Sequence, residues 1–223
     1  MSPRARMLAG FLLANLSIVL VAATVLLNRP AAPPRIQGVL LPQARMLPEF
    51  QLLDHHHRVF TNKDLAGRWH LVSYGFTTCP DVCPTTLSQL AAVSRELRAQ
   101  GHTELAVLFY TVDHRRDTVA QMASYVPFFD PEFTGLTHED NNDQHRPFER
   151  GLGIVAQLLP LEGSDLKPAD NEYQVVHGVK LFLLNPQGEL QAILEPDDNF
   201  SAEHTFDPAT IVHDYLAIRS YLD

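Results

Sequence analysis

Cysteine is scarce. There are two in a chain of 223 residues, too few for a fold held together by disulfides. Basic residues are outnumbered as well, with 17 Lys and Arg against 26 Asp and Glu, and none form a run that could follow a phosphate backbone. That excludes nucleic acid as a natural partner. Charged residues make up only 19% of the chain and hydrophobic ones 45%, which excludes a disordered protein and leaves enough apolar surface for a sizeable core. Internal repeats and low-complexity tracts are absent beyond residue 48.

What is present begins with an uncharged run. Ala9 to Leu27 is nineteen residues interrupted only by Asn15, Ser17 and Thr24. As a helix it would span roughly 28 Å, the depth of a bilayer's hydrocarbon core. Arg4 and Arg6 precede it and no acid lies before Asn28, so the positive-inside rule predicts a cytoplasmic N-terminus. The expected placement is single-pass in the inner (cytoplasmic) membrane, with the C-terminal domain outside the cytoplasm, on the periplasmic side or its equivalent. Val21-Ala22-Ala23 has the small residues of a cleavage site, but nineteen residues exceed the roughly 7 to 15 of a signal peptide's apolar core, which favours an uncleaved anchor. No cysteine near the segment offers a lipid attachment point. Without residues 1–27 the chain loses two arginines and no acid, so its formal charge moves from −9 to −11. Pro30, Pro33, Pro34, Pro42 and Pro48 then predict an extended tether over 28–48, followed by one domain over 49–223.

Within that domain, Leu71–Phe76 and Leu105–Val112 are short apolar runs, the pattern of strands buried on both faces. Leu87, Leu90, Ala91 and Leu97 recur at helical spacing between them, with Pro84 suited to a first turn and Gly101 to a C-terminal cap. A second helix is expected from Val119 to Val126, opened by a Thr118/Gln121 capping box and stopped by Pro127. Val179–Leu184 and Leu190–Leu194 flank Asn185-Pro186-Gln187-Gly188 as an antiparallel hairpin around a type I turn. Asp207 and Pro208 open a last helix with Ile211, Tyr215, Ile218 and Leu222 on its apolar face. Thr134 to Glu172 shows no clear pattern. The order β-α-β, α, β-β-α is that of an α/β, thioredoxin-like fold, a mixed sheet flanked by helices, here following an N-terminal transmembrane helix.

Both cysteines stand in Thr77-Thr78-Cys79-Pro80-Asp81-Val82-Cys83-Pro84, where the first strand turns into the first helix. At a spacing of i, i+4 their Cβ atoms lie roughly 5 to 6 Å apart if helical, close enough for two sulfurs to meet one metal. A helix N-terminus offers unpaired N–H groups and partial positive charge, which favour thiolate. A structural disulfide is the plain alternative, but closing so small a loop would stabilise by only about 2 kcal/mol. His55-His56-His57 between Leu52-Leu53 and Val59-Phe60 reads as an exposed hairpin turn, at most a loose metal site.

Tyr74 to Leu87, Thr111-Val112-Asp113 with Arg116-Asp117-Thr118, Phe129 to Thr137, and Val176-His177 closely resemble blocks of the Sco/SenC family, copper proteins that help assemble cytochrome c oxidase. The similarity spans roughly Leu47 to Leu222. It implies that Cys79, Cys83 and His177 bind copper, as Cu(I) or Cu(II), and thiolate and imidazole are suitable donors. In thioredoxins a cis-proline opens the strand facing the dithiol, and His177-Gly178 takes the corresponding place here. His114 stands where the family commonly has proline and Gly178 where a hydroxyl residue is frequent, and neither departure removes a ligand. Asp81 and Asp113 are candidates to orient a ligand from behind, or simply a helix-terminal charge and a turn cap. The function implied is a metallochaperone rather than an enzyme. It would deliver copper, or maintain thiols, for the copper-bearing subunit of cytochrome c oxidase, with other copper chaperones or thiol reductants as further partners. A metal-free thiol-disulfide oxidoreductase or peroxide-reducing protein, and a copper sensor or store, remain open alternatives.

Overall fold

The computed structural model describes residues 2–27, 32–139, 143–160, 173–196 and 205–222. The chain forms two compact units, divided between Pro33 and Pro34. In the first, helix α1 (Pro3–Leu27) contains Arg6–Thr24, a segment long and apolar enough to cross a membrane. Its polar groups answer to the helix itself: Asn15, Ser17 and Thr24 donate to the carbonyls of Phe11, Leu13 and Val21 at 2.8, 2.9 and 2.8 Å. Each of the three thus spends a donor within the helix rather than on a partner outside it.

The second unit is built on an eight-stranded mixed sheet. Its strands are β1 (Gly38–Met46), β2 (Gln51–Asp54), β3 (Val59–Thr61), β4 (Trp69–Gly75), β5 (Leu105–Thr111), β6 (Thr134–Thr137), β9 (Leu181–Leu184) and β10 (Glu189–Leu194), while β7 (Ala156–Pro160) and β8 (Tyr173–His177) form a separate ribbon. Spatial order is β1-β10-β9-β4-β5-β6-β2-β3, with β4, β5 and β6 mutually parallel and β9 antiparallel to β4. The central strands are apolar throughout because they feed two cores. Leu71, Val107, Phe109, Leu181 and Leu183 face one, and Val72, Leu108, Tyr110, Phe182 and Leu184 the other. Each fully buried leucine contributes about 1.5–3 kcal/mol by leaving water.

Helices α2 (Val82–Ala99), α3 (Val119–Phe129) and α5 (Pro208–Leu222) cover the first face and α4 (Arg146–Leu152) the second, giving the expected thioredoxin-like layers. Leu87, Leu90, Ala91 and Leu97 are buried along α2, as their spacing predicts. Gly101, at φ +85°, ends α2 with its N–H on the Arg98 carbonyl, and the His102 N–H reaches Leu97. The Asn185–Gly188 turn closes through the Gly188 N–H on Asn185, and Asp207 caps α5 at the Thr210 amide.

Three features depart from the sequence reading. Gly38–Met46, expected within a tether, is edge strand β1 on β10, with Pro42 inside the register shift between Leu40 and Arg45, where a missing N–H costs no ladder bond. Pro127 does not stop α3, which runs on to Phe129 at the cost of the one backbone bond the proline cannot donate. Thr118 accepts from the Gln121 amide, but the Gln121 side chain turns to Thr77 instead of completing a capping box. The patternless stretch after Thr134 holds β6, α4 and β7, with 161–172 outside the described residues.

Candidate metal centre

Strand β4 ends at Gly75 and the chain passes through a short loop into α2, so the loop lies at the carboxyl edge of the parallel strands. In sheets of this kind that edge is where ligands bind. Asp117 clamps the loop. Fully buried, it accepts from the Thr77 N–H at 2.9 Å, the Thr77 hydroxyl at 2.6 Å and the Thr111 hydroxyl at 2.6 Å. Desolvation raises the Asp117 pKa even though those donors favour the charged form.

Cys79 sits in the loop rather than in the helix, and Cys83 in the first turn of α2. Asp81 is the N-cap residue, yet its side chain makes no capping bond. Instead the Cys83 N–H points at Cys79 Sγ, 3.4 Å away, so a sulfur occupies the acceptor position at this helix start. The Cys79 thiol is held down to about 5 by the Cys83 side chain donating to it, assisted by the Asp81 and Cys83 amides and by His177, against the opposing effect of burial. Cys83 is pushed far up by the same bond and by burial. The pair thus holds one proton, on Cys83, and presents Cys79 as thiolate.

His177 closes the group from the end of β8. Its Nδ1 lies 2.7 Å from the Gly178 carbonyl, an acceptor, so Nδ1 carries the proton and Nε2 keeps its lone pair. That Nε2 is 3.9 Å from Cys83 Sγ. Tyr74 and Phe76 flank the imidazole, with ring centroids at 5.4 and 5.8 Å. Asp113 supports β8 rather than capping a turn. Buried, it accepts from the Tyr173 hydroxyl and from Arg116, whose guanidinium lies 4.3 Å from the Tyr173 ring centroid. Asp113 thereby fixes the start of the strand that ends in His177.

Two contributors escape a reading of the sequence. Asp117 stands within a quoted block, but nothing in that block marks it as the loop's clamp. Gly75 has no side chain because a Cβ there would lie 2.5 Å from Cys83 Sγ. The histidine triplet does form the turn between β2 and β3, but its first member is not exposed. His55 is buried at 5% exposure and accepts the Gly135 amide at 2.9 Å, and the triplet supplies no three-donor cluster among the described residues.

The uneven proton gives a direct expectation. Iodoacetamide should modify Cys79 first, at a rate that rises as pH climbs through about 5 and is level above, because thiolate is the reacting form. Peptide mass mapping checks this. First labelling at Cys83, or a rate still climbing towards the ordinary thiol value of 9.0, would contradict the assignment.

The SCO1/SenC family model matches residues 40–207. A Stutzerimonas stutzeri protein named for copper binding is 31% identical over 79% of this chain and 82% of its own length. The bovine mitochondrial SCO2 homolog is 40% identical over 63% of this chain, a match spanning 50% of the bovine protein. Copper-bound Arabidopsis thaliana ScoI superposes with a TM-score of 0.64 at 27% identity, covering 78% of this chain and 98% of that one. Copper-bound yeast Sco1 gives 0.65 at 26%, covering 79% and 89%. With the family pattern running from β1 to the start of α5, and the same fold in copper-bound relatives, the chain belongs to the SCO1/SenC family.

Proposed function

We propose that the protein holds one copper ion as cargo through Cys79, Cys83 and His177 and delivers it to the copper-bearing subunit of cytochrome c oxidase. The observation that carries this reading is the imidazole lone pair aimed at the buried thiol, 3.9 Å away. Disulfide exchange needs only the two sulfurs. That reaction does not require a histidine, whereas one held with its Nε2 lone pair free of a proton supplies a third donor to a metal. Two thiolates suit Cu(I), and a three-ligand set with one imidazole serves either copper oxidation state. The uncharged helix following Arg4 and Arg6 is the membrane anchor, with the domain outside the cytoplasm.

A second reading has one observation in its favour. The low thiol pKa of Cys79 equips it to attack a disulfide, so maintenance of thiols on the recipient subunit is a companion role. Both readings need the pair reduced.

The test uses the full chain in detergent micelles. His177→Ala is expected to weaken copper binding by about tenfold or more, with unchanged melting, and to lose transfer to the apo copper-bearing domain of the oxidase. Unchanged affinity would remove His177 from the site, and wild-type protein that loads but never transfers would leave storage in place of delivery.

A further inference from the structure

Because β4, β5 and β6 run parallel, the residues following each strand gather at one edge. After β4 come the cysteines. After β5 comes His114, and directly after β6 comes His138, whose ring centroid lies 3.9 Å from that of His114. His145 and Glu149 approach from α4 and the turn before it, four residues apart and so on one face. The His138 and His145 rings stack at 3.5 Å and 3°. The donor atoms of His138, His145 and Glu149 all fall within 4.8 Å of one another.

We propose that His138, His145 and Glu149, with His114 beside them, form a second metal site for a divalent ion of the zinc or cupric class, apart from the thiol pair.

Two of the donors are held in place by neighbouring groups. His138 is 7% exposed, and its Nδ1 lies 3.3 Å from the Glu139 carbonyl, a bond only a protonated Nδ1 can make, which assigns the lone pair to Nε2. Glu149 accepts from the hydroxyl of fully buried Tyr110 at 2.7 Å, which fixes the direction of the carboxylate from behind. A cleft of about 280 Å³ lined by His114, His138, His145 and Glu149 admits an ion. Tetrahedral coordination at 2.0–2.1 Å sets donors about 3.3 Å apart. Rotation of the His145 side chain, only half-buried, draws the set inward to that spacing. Two imidazoles and a carboxylate with no sulfur favour zinc or Cu(II) and disfavour Cu(I), the reverse of the thiol site.

The experiment uses the full chain in micelles with Cys79→Ser and Cys83→Ser, which removes the thiol site, and titrates it with Zn(II) against a chromophoric chelator. One Zn(II) per chain is expected. Adding His145→Ala or Glu149→Gln should weaken binding at least tenfold, and His56→Ala should leave it unchanged. Visible Co(II) absorption, lost in the first two variants and kept in the third, gives a readout independent of folding stability. No Zn(II) uptake by the cysteine-free chain, affinity unchanged by His145→Ala and Glu149→Gln, or loss with His56→Ala instead would overturn the site.

Discussion

Oxidising Cys79 and Cys83 to a disulfide is expected to take Cu(I) uptake from one ion per chain to none. Forming the S–S bond replaces two thiolate donors with a neutral disulfide and releases two electrons and the pair's single proton, so the same sulfurs cannot serve both purposes. Chain geometry permits the reaction, since Cys79 Sγ lies 3.4 Å from the Cys83 amide and accepts from the Cys83 thiol, so the two sulfurs are already neighbours. Reduced protein loaded with Cu(II) should show visible sulfur-to-copper absorption, absent after oxidation and in either cysteine-to-serine variant. Loading carries a proton signature as well. Cys79 is already thiolate at neutral pH and Cys83 is not, so about one proton should leave per copper bound. Affinity should then climb about tenfold per pH unit near neutrality, because each unit makes the displaced proton easier to lose. Equal uptake by oxidised and reduced protein would remove the dithiol from the site.

Gly75→Ala should abolish tight copper binding while the domain still folds. The added methyl would meet Cys83 Sγ at 2.5 Å, with Cys83 Cβ and the Phe109 ring both at 3.4 Å. Phe109 is fixed in the core, so the sulfur is the atom that moves, swinging away from Cys79 and His177. The stability cost is about 1–3 kcal/mol, as for other overpacked sites. The proof lies in the contrast between a modest fall in melting temperature and loss of the charge-transfer band. An unaltered band would show that Cys83 can coordinate from another rotamer.

Much of this was readable from residues alone where local rules act without competition. Leu71–Phe76 and Leu105–Val112 are apolar at every position because both faces are covered, and Asp207-Pro208 and Gly101 punctuate helices as isolated peptides would. The dithiol was legible for the same reason, since four residues and a helix start place both sulfurs. His177 was not legible from spacing. It lies 94 residues from Cys83 in a chain with eleven histidines, and only the family resemblance singled it out. Gly38–Met46 hid behind its proline because an edge strand needs only one hydrogen-bonded side. Asp117 hid because burial of a charge depends on donors supplied from β5 and the loop after β4, which no local pattern records.

The ends of the eight-stranded sheet bear on how copies of this protein tolerate one another. One border is β1, broken by its register shift around Pro42, and the other is β3, three residues long. Neither offers the long, flat row of unpaired amides and carbonyls that lets one sheet grow onto another. With both borders blunted, this sheet presents neighbouring copies with little backbone to pair with.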